Sequence, residues 1–483
     1  MSSSPHQMEK HTTSSATPVF TSPQHKWLVI LAAVFGVFMS VLDSTVVNMA
    51  APRIQSDFGI SLENIQWIVT AYLLSLALSI PLAGYLAGRF GLKRVYLTAL
   101  VVFTLSSALC GLAWNTNSLI FFRVIQGLGG GALAPLATAM IYSAFSLEQR
   151  GIATGILGVP LLIAPALGPA LGGYIVQHMD WRLIFYINVP IGIVGVLIGV
   201  KVLKEYIESQ DAKFDWRGFI LSAIGFACLL YGISSASTYG WGSPAVLLSL
   251  IVGVISIVTF FIVELRVSSP LLDVRLYFDW RFAGSSIADW ILHITFFGPL
   301  LLVSLYLQEI HHLPPAEAGL WFVPSALVTA AILPATGILV DKFGSKWIIF
   351  VGMIILAAST YSLSFFDPST TFWGVQLVLI SRGIALAFTL QPLLVFILYY
   401  VKPPAVARAS SLVNVMQQVA ASFGTAILIT YAQSRETIGA ANLSPAQATN
   451  VSFHDAYLLA AIIASAGIII TLFLPRQRKQ PIG

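Results

Sequence analysis

The chain has 483 residues, 57% of them hydrophobic and only 9% charged, against about 25% charged in an average soluble domain. This composition excludes an ordinary soluble protein and points to one embedded in a bilayer. The net charge of +5 does not indicate nucleic acid, because the basic residues gather at the ends of apolar runs, where they orient spans in a membrane.

Residues 1–26, rich in Ser, Thr, Pro and His, read as a disordered cytoplasmic tail. From Trp27 to about residue 474, apolar runs of roughly 20 residues recur. Fourteen are found, most bounded by Trp, as at Trp27, Trp181, Trp280 and Trp347. With both termini inside, twenty of the 25 Lys and Arg fall in cytoplasmic segments, the bias expected of an even helix count in a plasma membrane protein. The stretch Gly84 to Arg94, with Arg89, Gly91 and Lys93, follows the second run. It begins again at Gly337, 253 residues on, with Asp341 and Lys342. Eight spans of about 32 residues, helix plus short loop, fill that offset. The predicted fold class is therefore all-α: a polytopic membrane protein of 14 transmembrane helices, two six-helix pseudo-repeat bundles (27–203 and 276–474) with two linker helices between them (204–275) and a cytoplasmic tail (475–483). Repeats of this kind are the usual build of secondary transporters.

Polar residues inside the runs carry the functional reading. Asp43 lies in the first run, where an ionised side chain is costly and is retained for a proton, an ion or a substrate. At ~1.5 Å per residue it is roughly 24 Å along the helix from Trp27, a depth that Arg123 of the fourth run also reaches. The two can pair, with Arg123 favouring the ionised carboxylate and burial the neutral one. A permanent structural ion pair is the alternative. In the ninth run Asp289 and His293 share a helix face, with Trp290 beside them. Depth counting places Asp289 and Arg382 of the twelfth run both near mid-membrane, as a second Asp and Arg pair. His293 reads as a proton relay or as a packing histidine.

The fifth run carries Gly155, Gly158, Gly168, Gly172 and Gly173 with Pro160, Pro165 and Pro169, which suit a hinge or seal between halves, or simply tight packing. Cys110 and Cys228 sit in different spans, and His311 and His312 have no further ligand nearby. Neither a disulfide nor a metal site is expected. No nucleophile and base stand in a recognisable motif, so an enzyme is not expected and no cofactor is implied.

Five stretches in order give a family resemblance: Leu42-Asp43-Ser44-Thr45-Val46-Val47-Asn48; the 84–94 stretch; Leu119 to Gly130 with Arg123, Gln126, Gly127 and Gly129; Gly155 to Gly173; and Trp181 to Gly192. Together they resemble the major facilitator superfamily, in its fourteen-helix drug/proton antiporter branch. Three positions depart from the branch pattern: Gly88 where an Asp is usual, Ala164 where a Gly is usual, and Gln417 where an Arg is common.

The resemblance implies a proton-coupled antiporter exporting small hydrophobic, often cationic compounds by alternating access. Asp43 and Arg123 are expected to couple protons, and Gln126, Asp289, Trp290, His293 and Arg382 to meet substrate. Gly84, Arg89, Gly91, Lys93, Arg94, Asp341, Lys342, Gly168, Pro169, Gly172 and Gly173 are expected to gate. A proton-coupled importer or facilitator of a small metabolite, and a carrier of lipid-like cargo, are the rival readings. The expected partners are a small-molecule substrate, protons and the bilayer; the external segment 434–455 is where a periplasmic adaptor would dock.

Overall fold

The structure, a computed structural model, describes residues 23–59, 62–146, 149–205, 214–267, 270–402, 405–439 and 444–475; the expected tails lie almost wholly outside the described residues. The first half contains α1 (Pro23–Phe58), α2 (Leu62–Phe90), α3 (Leu92–Gly111), α4 (Thr116–Ala144), α5 (Arg150–His178), a single turn α6 (Leu183–Tyr186) and its continuation α7 (Asn188–Val202). A hairpin follows, α8 (Trp216–Tyr239) and α9 (Pro244–Arg266). The second half contains α10 (Trp280–Glu309), the short α11 (Pro315–Leu320), α12 (Val323–Phe343), α13 (Ser345–Leu363), α14 (Phe372–Tyr399), α15 (Val406–Gly439) and α16 (Pro445–Phe473).

Local chemistry sets these boundaries. Asn115 opens α4 and Ser444 opens α16 through reciprocal capping boxes with Ser118 and Gln447, each satisfying amides that the first turn leaves without partners. The repeated motif has a backbone reason for its glycine. Gly91 between α2 and α3 has φ 98°, and Gly344 between α12 and α13 has φ 82°, values that only glycine adopts without strain. The same tight reversal is thus made twice, 253 residues apart.

Packing repeats as well. In the first half α4 packs on α1, α2 and α3, and α1 packs on α5; in the second, α14 packs on α10, α12 and α13, and α10 packs on α15. The bundles meet through α5 against α12 and α2 against α15. The hairpin α8 and α9 packs on itself and leans through α8 on both α2 and α15. Leu248 and Ile255 of α9 are 64% and 61% exposed, as a face turned to lipid should be.

Thirteen described helical stretches are long and apolar enough to cross a membrane. The fold class is as expected, an all-helical polytopic membrane protein. Helix α5 has 29 residues, but its described apolar stretch is Arg150–Leu161, so the count of fourteen crossings remains a proposal.

Candidate functional site: a buried ion pair and a glycine-lined seal

Asp43 and Arg123 are each 1% exposed, and Arg123 Nη1 donates to Asp43 Oδ2. Their meeting depends on small residues along α4. A side chain on Gly127 or Gly131 would strike the backbone of α2, and one on Gly129 the backbone of α3. With the backbones this close, polar side chains from several helices converge on one carboxylate. Gln126 Nε2 donates to Asp43 Oδ1 at 2.9 Å and Asn188 Nδ2 to the same oxygen at 3.0 Å. Asn188 also donates to Ser107 Oγ at 3.1 Å. Arg123 gives Nη1 to Gln126 Oε1 at 2.7 Å and Nε to the Ile68 carbonyl at 3.4 Å, and lies 3.9 Å over the Tyr72 ring. The Tyr72 hydroxyl donates to the Ser40 carbonyl at 3.1 Å.

Gln126, expected at the substrate, therefore belongs with Asp43 and Arg123. Asn188 and Tyr72 belong to the site although the sequence reading assigns them no role. Asn188 had a signal, a carboxamide just inside an apolar run of a quoted motif, whereas Tyr72 reads as one more aromatic.

Asp289 is 1% exposed and His293 6%. Gln417 Nε2 donates to Asp289 Oδ1 at 3.3 Å, and His293 Nδ1 lies 2.8 Å from the Asp289 carbonyl and 3.7 Å from Oδ1. Thus the residue that departs from the branch pattern, Gln417, supplies the neutral partner of the carboxylate.

The expected Asp289 and Arg382 pair is not formed. Arg382 donates to Thr360 Oγ1 at 2.5 Å and to the carbonyls of Thr295 and Phe296 at 3.1 Å each. These carbonyls lie six and seven residues beyond Asp289, roughly 10 Å along the axis. Helices α10 and α14 have 30 and 28 residues, about 42–45 Å each, so depths counted from opposite ends of a ~30 Å core do not coincide. Trp290 projects about 100° around the helix from Asp289 and is half-buried, its ring 6.0 Å from that of Tyr277.

Gly84, Arg89, Gly91, Lys93, Arg94, Asp341 and Lys342 of the gating candidates lie at one end of the bundles, the face bearing the start of α1. Gly84 packs on the backbone of Arg408. A side chain on Gly151 would strike the Gly337 carbonyl, one on Gly155 the Leu333 carbonyl, and one on Gly337 would come within 2.6 Å of Ile152 Cα. Asp341 fixes this contact. It accepts from Gly151 N at 2.8 Å and Ile152 N at 3.0 Å, placing a carboxylate on the opening turn of α5, where free amides and the helix dipole favour negative charge. Gly88 provides no such carboxylate in the first copy. That loop is held locally instead: Lys93 N donates to Glu205 Oε1 at 3.1 Å, Lys93 Nζ to the Val200 carbonyl at 2.8 Å, and Arg94 Nε lies 3.4 Å from Glu205 Oε2. Arg89 Nη1 donates to the Tyr85 hydroxyl at 3.1 Å, and Lys342 is exposed.

Farther along α5, Gly168 admits Thr45 and Gly172 admits Val46 and Met49 of α1, while Gly173 faces open space. The Pro169 side chain lies outside the described residues.

Two helical halves that repeat one packing pattern, meet across glycine-lined helix pairs and enclose buried charges have the build of a secondary transporter. The chain belongs to the Major Facilitator Superfamily, whose model matches residues 33–425 and again 286–482. It is 31% identical to the MFS-type transporter YhcA of Bacillus subtilis strain 168, over 94% of this chain and 93% of that protein. It is 32% identical to the multidrug export protein EmrB of Haemophilus influenzae, over 85% of this chain and 81% of that protein. The human organic anion transporter MFSD10 has the same fold with a TM-score of 0.66 at 15% identity, over 92% of this chain and 100% of that chain.

Proposed function

We propose that the protein is a multidrug exporter of the plasma membrane that exchanges protons for small apolar, often cationic compounds, with the face bearing the start of α1 toward the cytoplasm. The observation that carries the coupling is the buried Asp43, held by Arg123, Gln126 and Asn188. Similarity to a protein named as a multidrug exporter supports the direction, and the gathering of basic residues supports the orientation. In this reading both termini are cytoplasmic, residues 27–203 and 276–474 are the moving bundles, and 204–275 links them. The structure then represents a state sealed toward the cytoplasm by α5 with α12 and α2 with α15. Adding a proton to Asp43 weakens its hold on Arg123, loosening α1 from α4 and α7, so occupancy of the carboxyl is read by the bundle's shape.

Asp289 supplies charge recognition. Its partners are a carboxamide and a histidine rather than a fixed cation, so a cationic cargo meets no competitor of permanent charge. Everted vesicles energised acid-inside are expected to accumulate cationic and neutral drugs. Asp289→Asn is expected to lower cationic transport by at least tenfold, about 1.4 kcal/mol of lost interaction, with neutral cargo little changed. Equal loss for matched cationic and neutral compounds would remove Asp289 from recognition. Accumulation only with the opposite gradient would favour an importer.

A further inference from the structure

The acids that begin and nearly end the linker hairpin meet at its foot. Asp215 caps α8 by accepting from Gly218 N through Oδ1 at 2.9 Å. Glu264, in the last turn of α9, accepts from Leu271 N at 3.1 Å and Leu272 N at 3.3 Å through Oε1, drawing the following chain back across the hairpin. Glu264 is 0% exposed and Asp215 8%. A side chain on Gly218 would collide with both carboxylates, so they border the same small volume. The remaining oxygens, Glu264 Oε2 and Asp215 Oδ2, are buried without a hydrogen-bond partner, and so is Asp273 Oδ1.

Among the described residues no cation pairs with this cluster. Arg217 and Arg266 are exposed, and Arg275 spends Nη2 on the carbonyls of Leu265 and Val267 at 3.1 and 2.7 Å. From α2, Tyr85 packs edge-on against Phe214 and accepts from Arg89; from α15, Arg408 packs on Gly84. Tyr277, in the turn after Asp273, meets Phe282 edge-on and Trp290 at a tilt. No described group of three acidic, His or Cys residues could hold a metal ion. Carboxylates that share a dry site cannot all ionise. A proton on one supplies the O–H donor that its neighbour's unpaired oxygen lacks.

We propose that Asp215 and Glu264 form a second proton-binding site, separate from Asp43, in which one shared proton holds the foot of the α8 and α9 hairpin together. The proton comes from solvent on the adjacent face. Removing that proton leaves two like charges facing each other in a dry site, so the hairpin foot loosens and stability falls as the proton leaves.

Infrared spectra and melting curves of the full chain in lipid nanodiscs, from mildly acidic to mildly alkaline pH, test this. The expected result is a protonated-carboxyl C=O band that persists in Asp43→Asn and in Asp289→Asn but is lost in Glu264→Gln. Wild-type Tm should fall across the pH interval in which that band bleaches, whereas Glu264→Gln, which keeps an acceptor for Leu271 and Leu272, should lose that dependence. Asp215→Asn, still able to cap α8, gives the same readout if Glu264→Gln accumulates poorly. A band unaltered by both hairpin variants, or one abolished by Asp43→Asn, would overturn the proposal, as would a Tm profile parallel to wild type in both.

Discussion

Asp43→Asn is expected to reduce gradient-driven export to the background of cells lacking the protein, while the variant still inserts and folds. The amide cannot titrate near physiological pH, so the two proton states that the proposed cycle needs collapse into one. Shape is nearly conserved, and the carbonyl oxygen of the new amide would still accept from Gln126 and Asn188. Arg123 loses its only carboxylate partner among the described residues, and breaking a buried pair typically costs about 3–5 kcal/mol. Part of that cost is offset here, because Arg123 keeps the Gln126 and Ile68 oxygens and the Tyr72 ring at 3.9 Å. A lower Tm with folded protein present and no uphill export is the expected combination, read from fluorescence melting and vesicle transport. If Asp43 and Arg123 were only a structural pair, export per folded molecule would survive in Asp43→Asn.

Gly337→Val is expected to disable transport by another route, through the seal. A Cβ on Gly337 would sit 2.6 Å from Ile152 Cα and 2.7 Å from Gly151 C, and neither backbone atom can turn aside as a side chain does. Overpacking of this kind costs about 1–3 kcal/mol, and here it falls only on the state in which α5 and α12 touch. A penalty of that size shifts a two-state balance by roughly 5–150-fold. Transport should fall by a comparable factor, while cargo binding from the cytoplasmic side is kept or improved. Cysteines placed along the facing surfaces of α5 and α12 should become more reactive to water-soluble reagents. Unchanged reactivity with lost transport would mean that the substitution acts elsewhere than on the seal.

The parts of this molecule that were legible in sequence are those governed by periodicity and cost. Apolar run length fixed the class, and the recurrence of Gly91 at Gly344 reflects a backbone angle that must be made twice. Asp43 stood out because a carboxylate in a bilayer needs a reason, and depth counting found Arg123 because both residues lie toward the same side of the membrane. The same counting placed Asp289 and Arg382 level, but in helices of 30 and 28 residues an error of a few residues at each end is enough to part them by two turns. Nor could it show that Asp341 caps α5, since that contact joins residues 190 positions apart. Sequence placed Asp341 in a loop motif, and only packing of α12 against α5 gave its carboxylate the amides of Gly151 and Ile152.

Coupling through Asp43 is tested most directly by proton release from the purified protein in weakly buffered solution at neutral pH, on addition of a cationic drug. Wild type should release protons in proportion to drug bound, and Asp43→Asn should bind the drug with no release. Equal proton release from the wild type and from Asp43→Asn would contradict it.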